Sequence, residues 1–118
     1  MRLKASIWVS AYVRRLNAMP PVAAVVARRG DEDAGAIFIK INTLDGYARV
    51  WRPAPTGLDT ASDERTWMDA FPGKRISDAD AEGYLVRQAD FDDDMWVVEV
   101  EDREGRHFLD AHMLQENI

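Results

Sequence analysis

Residues 36–53 read AIFIKINTLDGYARVWRP, two runs of aliphatic, β-branched and aromatic residues joined through Asp45-Gly46. Such side chains favour extended backbone, and Asp-Gly is a strong hairpin signal because both residues tolerate positive φ. The stretch predicts two antiparallel strands, 36–42 and 47–53. With any even-length turn around Asp45-Gly46, Ile37, Ile39, Ile41, Ala48 and Val50 fall on one face and read as core. The other face collects Phe38, Lys40, Tyr47, Arg49 and Trp51. That second set has three readings. It can be a covered face with snorkelling cations, a protein-binding surface of aromatic and Arg anchors, or a stacking platform for single-stranded nucleic acid.

Moving outward, residues 22–29 form another short apolar run, followed by the Gly30–Gly35 connection, and a three-stranded antiparallel meander results. Upstream, Leu3, Ile7, Trp8, Ala11, Tyr12, Leu16 and Met19 recur at three- and four-residue steps. They predict one apolar face of a helix over 4–18, ended by Pro20-Pro21. Downstream, 54–64 carries prolines, a glycine and small polar residues and reads as the chain's most mobile loop. Residues 65–71 suit a fourth strand. Ser77 caps a second helix to about Ala89, with Asp80 in the capping-box position and Ala81, Tyr84, Leu85 and Gln88 on its inner face. Residues 95–102 are the clearest strand, and Arg103–Arg106 is expected to turn it back into a short strand over 107–110. The final residues, from 111 on, read as a tail or one helical turn. The expected fold is α+β: a mostly antiparallel sheet, made of the meander plus a C-terminal hairpin, with both helices against one face. Residues 1–118 are read as a single domain.

The chain is 47% hydrophobic and 31% charged and has no cysteine, which excludes disulfides, thiolate catalysis and cysteine-type zinc sites. Residues 1–52 carry nine Lys/Arg against four Asp/Glu, net +5; residues 53–118 carry six against seventeen, net −11. Two readings follow: mixed charge on one packed surface, or a bipolar molecule with a basic and an acidic patch. The net charge of −6 argues against general nucleic-acid binding, which depends on neutralising cations. No apolar run approaches the ~20 residues that span a bilayer, so a cytoplasmic setting without membrane contact is expected.

Three blocks resemble a known family. They are Ile7-Trp8-Val9-Ser10-Ala11 with Arg14-Arg15, the Arg28-Arg29-Gly30-Asp31 to Asp33-Ala34-Gly35 loop, and the closing run from Trp96 to Phe108. In this order they are similar to domain-of-unknown-function family 1491, small proteins found mostly in alphaproteobacteria. The resemblance covers nearly the whole chain. It implies a free-standing bacterial cytoplasmic domain, and no catalytic residue or cofactor comes with it.

Phosphate-loop, dinucleotide, nucleophile-elbow and zinc-protease motifs are absent. Asp90, Asp92, Asp94 and Glu101 fall at positions one, three, five and twelve of an EF-hand loop, but Met95 stands where glycine is needed, and a strand pattern follows instead of a helix. A solvated helix-to-strand connection reads better. On the expected C-terminal hairpin, Glu99, Glu101, Asp110 and His112 share a face. They suit either pairing with cations from the basic half or a divalent metal, with Glu99, Asp110 and His112 as acid–base groups. Asp102 is expected to bond His107 across the turn. The sequence therefore favours a binding or adaptor domain for a protein partner, with no cofactor and with Phe38, Lys40, Tyr47, Arg49 and Trp51 as its surface. The alternative is a metal-assisted hydrolase or nuclease on the C-terminal hairpin.

Overall fold

The computed structural model describes residues 2–55 and 64–115. Most of the expected 54–64 loop and the last three residues lie outside them. In order, the elements are α1 (Ala5–Asn17), β1 (Ala23–Arg28), β2 (Ile37–Asn42), β3 (Tyr47–Pro53), β4 (Trp67–Asp69), β5 (Ile76–Ser77), α2 (Asp78–Phe91), β6 (Trp96–Glu101) and a 3-10 turn (Ala111–Met113). The α+β class, the mostly antiparallel sheet and both helices are as the sequence predicts. Ser77 caps α2 as expected, its hydroxyl accepting from the Asp80 amide at 3.1 Å.

The strand order differs. It is β1-β6-β2-β3-β4, with β5 on the far end of β3. β6 pairs antiparallel with β1 and parallel with β2, so β1 and β2 never meet and there is no meander. The cause lies in β6 itself. Trp96, Val97, Val98 and Val100 are all buried, and a strand apolar on both faces is most stable in the middle of a sheet. With both edges of β6 occupied, residues 107–110 have nothing to pair with, and the expected C-terminal hairpin does not form.

The 30–35 connection therefore arches over the start of β6. The Asp31 amide donates to the Asp94 carbonyl at 2.8 Å, and the Trp96 indole donates to the Asp31 carbonyl at 2.7 Å. A Cβ on Gly30 would lie 2.1 Å from that Asp94 oxygen, and one on Gly35 2.4 Å, so the arch closes only with glycine at both places.

The helices lie on opposite faces of the sheet, correcting the one-face expectation. Ile37, Ile39, Ile41, Trp96, Val98 and Val100 pack with Val9, Tyr12 and Leu16 of α1. The alternate residues Phe38, Ala48, Val50 and Val97 pack with Ala81 and Leu85 of α2. Covering both faces explains why five successive residues of β2, Ile37 to Ile41, are all buried.

The β2–β3 hairpin also departs from its expected register. Thr43 bonds Tyr47 across a three-residue loop, Leu44-Asp45-Gly46, with positive φ at Leu44 and Gly46. An odd loop sets Ile39 opposite Trp51 and Ile41 opposite Arg49. Arg49 and Trp51 thus join the isoleucines on the α1 face, while Phe38 and Lys40 share the α2 face with Ala48 and Val50. Lys40 is only 2% exposed. Its ammonium meets Asp78 at 2.6 Å, Glu82, and Glu99 at 3.5 Å. Burial works against that charge, but the bonds to Asp78 and Glu82 prevail and hold the amine above its usual range.

At the free edge, the Asn17 side-chain amide pairs both backbone groups of Ala24, donating to its carbonyl at 2.9 Å and accepting from its amide at 2.8 Å. A register shift between Val26 and Arg28 breaks the edge further along. Both devices blunt a strand whose core, Ala23–Ala27, carries no charge.

Two outcomes are expected. Lys40→Ala should cost roughly 2–4 kcal/mol in urea denaturation, somewhat less than for a sealed ion pair because Asp78 and Glu82 keep some hydration. A cost under about 1 kcal/mol would show that α2 does not need this contact. Asn17→Ala should cost about 1 kcal/mol and raise self-association in sedimentation, because it uncovers two strand-edge groups. A variant that stays as monomeric and as stable as wild type would dismiss Asn17 as an edge guard.

Candidate functional site

Helix α1 has more apolar surface than it buries. Ala5, Val9, Tyr12 and Leu16 form its buried stripe. Leu3, just ahead of the helix, and Ile7 are 52% and 50% exposed, and Ala11 is exposed as well. The expectation that Leu3, Ile7 and Ala11 share the core face is therefore corrected. Apolar residues cover over half of the helix circumference, and only part of that can face the sheet.

Polar contacts fix the rotation. The Tyr12 hydroxyl donates to the His107 carbonyl at 2.6 Å, and Arg15 donates to the Phe108 carbonyl at 2.7 Å. Burial pushes the Tyr12 phenol well above its usual range, so it stays a donor. These two bonds hold residues 107–115 as a strap across the α1 side. At its far end the Gln115 amide donates to the Trp67 carbonyl at 2.8 Å, and Leu114 bridges Trp67 in parallel.

A groove of about 390 Å³ runs between helix and strap. Leu3, Trp8, Ala11 and Tyr12 form one wall, Asp110 and Met113 the other, and Arg15 closes one end. Past Trp8 a second hollow lies beside Arg2, Glu64 and Arg65. The wall is rigid, because Trp8 stacks on Tyr12 at 4.9 Å and leans on Trp67 at 4.7 Å. Its electrostatics come from a simple fact of sequence: the first 30 residues hold six Lys/Arg and no Asp/Glu.

The five residues expected to form one surface are dispersed. Phe38 is buried edge-on to Tyr84, and Lys40 is enclosed by its carboxylates. Tyr47 is exposed at the end of the sheet, with Arg75 over its ring at 4.4 Å. Arg49 pairs with Asp69 at 2.5 Å, and half-buried Trp51 meets the His107 ring edge-on at 4.9 Å. Arg49 and Trp51 stay together, the guanidinium 5.8 Å from the indole ring, on the opposite face of the sheet from Phe38 and Lys40.

The carboxylate–histidine cluster is likewise not assembled. Glu99 serves Lys40, Glu101 is exposed at the end of β6, Asp110 lines the groove, and His112 Nε2 lies 2.9 Å from Glu64. Asp102 bonds Arg106 rather than His107, accepting from its amide at 2.8 Å and its guanidinium at 3.0 Å. Those bonds hold the Asp102 carboxyl below its usual range. Among the described residues one carboxylate group comes close enough for a shared ion, Asp92, Asp93 and Asp94. The EF-hand arrangement is absent there, since Met95 is buried and β6, not a helix, follows. Asp92 instead accepts from the Asp94 amide at 3.0 Å, ordinary turn chemistry.

The groove was within reach of the sequence. Two signals mark it: an acid-free basic stretch, and a helix whose apolar positions exceed one face.

Fold and site together define a small α+β domain with a helix on each face of its sheet and an apolar groove, edged by cations of the α1 segment, beneath a C-terminal strap. The chain belongs to the family described as "Protein of unknown function (DUF1491)", which it matches over residues 3–110. It is similar to a DUF1491 family protein from Caulobacter crescentus known from a crystal structure, at 39% identity over 98% of this chain and 99% of that one, with a TM-score of 0.75. An NMR structure of a DUF1491 family protein from the same organism gives 40% identity over 98% of each chain and a TM-score of 0.76. The solution structure of protein Atu0922 from A. tumefaciens gives 36% identity over 86% of each chain and a TM-score of 0.71. No curated protein matches. Among the described residues no helix is long and apolar enough to cross a membrane.

The strap carries a titratable latch. His107 Nδ1 accepts from the Leu109 amide at 2.9 Å, which only an unprotonated nitrogen can do. Burial, and then the charge of Arg49, hold the ring below its ordinary 6.5. As pH falls past 6.5 the unfolded chain therefore takes up this proton first. The latch contributes fully above that pH and fades as pH drops towards the depressed value. Between about pH 7.5 and about pH 5.5 the melting temperature of wild type should fall more than that of His107→Asn, which keeps an acceptor but does not titrate. Parallel pH profiles would show that His107 does not bear on strap stability.

Proposed function

We propose that this protein is a cytoplasmic binding module that engages a protein partner through the groove between α1 and the strap, without catalysis of its own. The observation that carries the reading is the outer stripe of α1. Leu3 and Ile7 stand half-exposed beside a rigid aromatic wall in a segment that is wholly basic. Apolar anchors with cations around them are the composition of binding surfaces. The family resemblance neither adds an activity nor opposes this reading. The hydrolase alternative is not favoured, because its carboxylates and imidazole are not brought together: Glu99 lies with Lys40, His112 with Glu64, and Asp110 in the groove.

A photo-crosslinking residue at Ile7, in protein expressed in its native cell, should trap a discrete protein. The same group at Asp80, on the exposed side of α2, should not, and Leu3→Glu should abolish the Ile7 adduct. Identical adducts from both positions, or none from Ile7, would remove the reading.

A further inference from the structure

The groove also constrains what can occupy it. Neither wall is a strand of the sheet, so an extended chain finds no regular ladder to join. On one wall the backbone of α1 is bonded within the helix, apart from the Ala5 and Ser6 amides, which donate to the Asp33 and Glu32 carbonyls. On the other, the His107 and Phe108 carbonyls already accept from Tyr12 and Arg15. A strand laid here would leave its own backbone groups unpaired, whereas a helix satisfies them internally. The outer side of α1 also presents Ser10 and Ala11, small residues that let a second helix approach closely. From Leu3 to Arg15 the wall is ~18 Å long at 1.5 Å per residue, room for about three turns of a partner helix.

Charge narrows the choice. The helix wall is bounded by Lys4, Arg14 and Arg15, all exposed, and has no acidic residue of its own. Lys4 makes a loose contact with Asp33 at 3.6 Å. The strap wall carries Asp110, so an occupant's carboxylates would gather on the helix side, and its apolar stripe would meet Leu3 and Ala11 in the groove and exposed Ile7 between them on the outer side of the helix. From this geometry we infer that the groove receives an acidic amphipathic helix of a partner protein. The inference rests on the binding-module reading and gives the partner its chemistry. A flat anionic bilayer fits less well: the strap walls one side of the stripe, and the net charge of −6 opposes approach to such a surface.

The test is a selection of displayed random peptides of about 16 residues against the folded full-length protein at low salt. Enriched sequences should be net acidic, with apolar residues at i, i+3 or i+4, and i+7. Their affinity should fall at least about tenfold with Leu3→Glu or Ile7→Glu, each checked for an unchanged melting temperature, because a buried apolar anchor dominates such contacts. Arg14→Glu should weaken them as well, and rising salt should do the same. Enrichment of basic peptides, of sequences without helical spacing, or of none that depends on Leu3 and Ile7 would overturn the inference. Leu3-dependent sedimentation with vesicles of phosphatidylglycerol and phosphatidylcholine would also overturn it, in favour of a lipid surface. The two readings fail separately. Crosslinks through Ile7 with a non-acidic or extended peptide preference would leave the module and reject the acidic helix, while loss of the crosslinks would remove both.

Discussion

β6 sits between β1 and β2, with α1 over one face and α2 over the other, so Trp96 to Val100 are enclosed on four sides. Fully burying side chains of this size contributes ~1.5–3 kcal/mol each relative to exposure, more than any surface contact in the molecule. Most of the other features follow from this placement. The 30–35 connection has to pass over the start of β6, which demands Gly30 and Gly35. β1 is displaced to the sheet edge, where Asn17 covers its Ala24 backbone groups. Residues 107–115 find no edge of β6 and become a strap that meets β4 only at its far end, and the strap makes the second wall of the groove.

The α2 face shows how one polar contact orients a layer. Lys40 lies in a run of five buried residues, and its ammonium is tolerable there because Asp78 and Glu82 come from α2 and Glu99 from β6. Such a contact adds little net stability compared with an apolar replacement, but breaking it leaves charges without partners. It holds the first turns of α2 over β2, while Ala81 and Leu85 supply the apolar contact. The acidic half of the chain thus uses part of its charge internally.

Much of the fold was legible. The periodicity of α1, the Ser77 cap of α2 and the β-rich runs all identify their elements correctly. What misled was any step requiring a neighbour. Asp45-Gly46 marks the hairpin, but its Leu44-Asp45-Gly46 loop has an odd length, and that single residue moves Arg49 and Trp51 to the other face. Likewise, Arg103–Arg106 does turn the chain, yet a turn specifies a hairpin only if the strand before it has a free edge. The sign that β6 has none was present in the unbroken apolar run Met95–Val98, since strands with one wet face alternate. The candidate residues are dispersed for these two reasons: the odd loop divides Phe38 and Lys40 from Arg49 and Trp51, and the lack of a free β6 edge separates Glu99 and Glu101 from Asp110 and His112.

The outer stripe of α1 is not a leftover of loose packing. Turning the helix to bury Ile7 would expose Val9 or Leu16 in exchange, so the apolar areas nearly cancel. It would also break the Tyr12, Arg15 and Asn17 bonds, each worth ~0.5–1.5 kcal/mol net. Burial alone leaves the rotation almost undecided, and these polar bonds decide it. Two of them go to the strap and two, both made by Asn17, to the β1 edge, so the contacts that keep Leu3 and Ile7 outward also build the groove beside them. Exposure of the stripe and formation of the groove are therefore consequences of one arrangement.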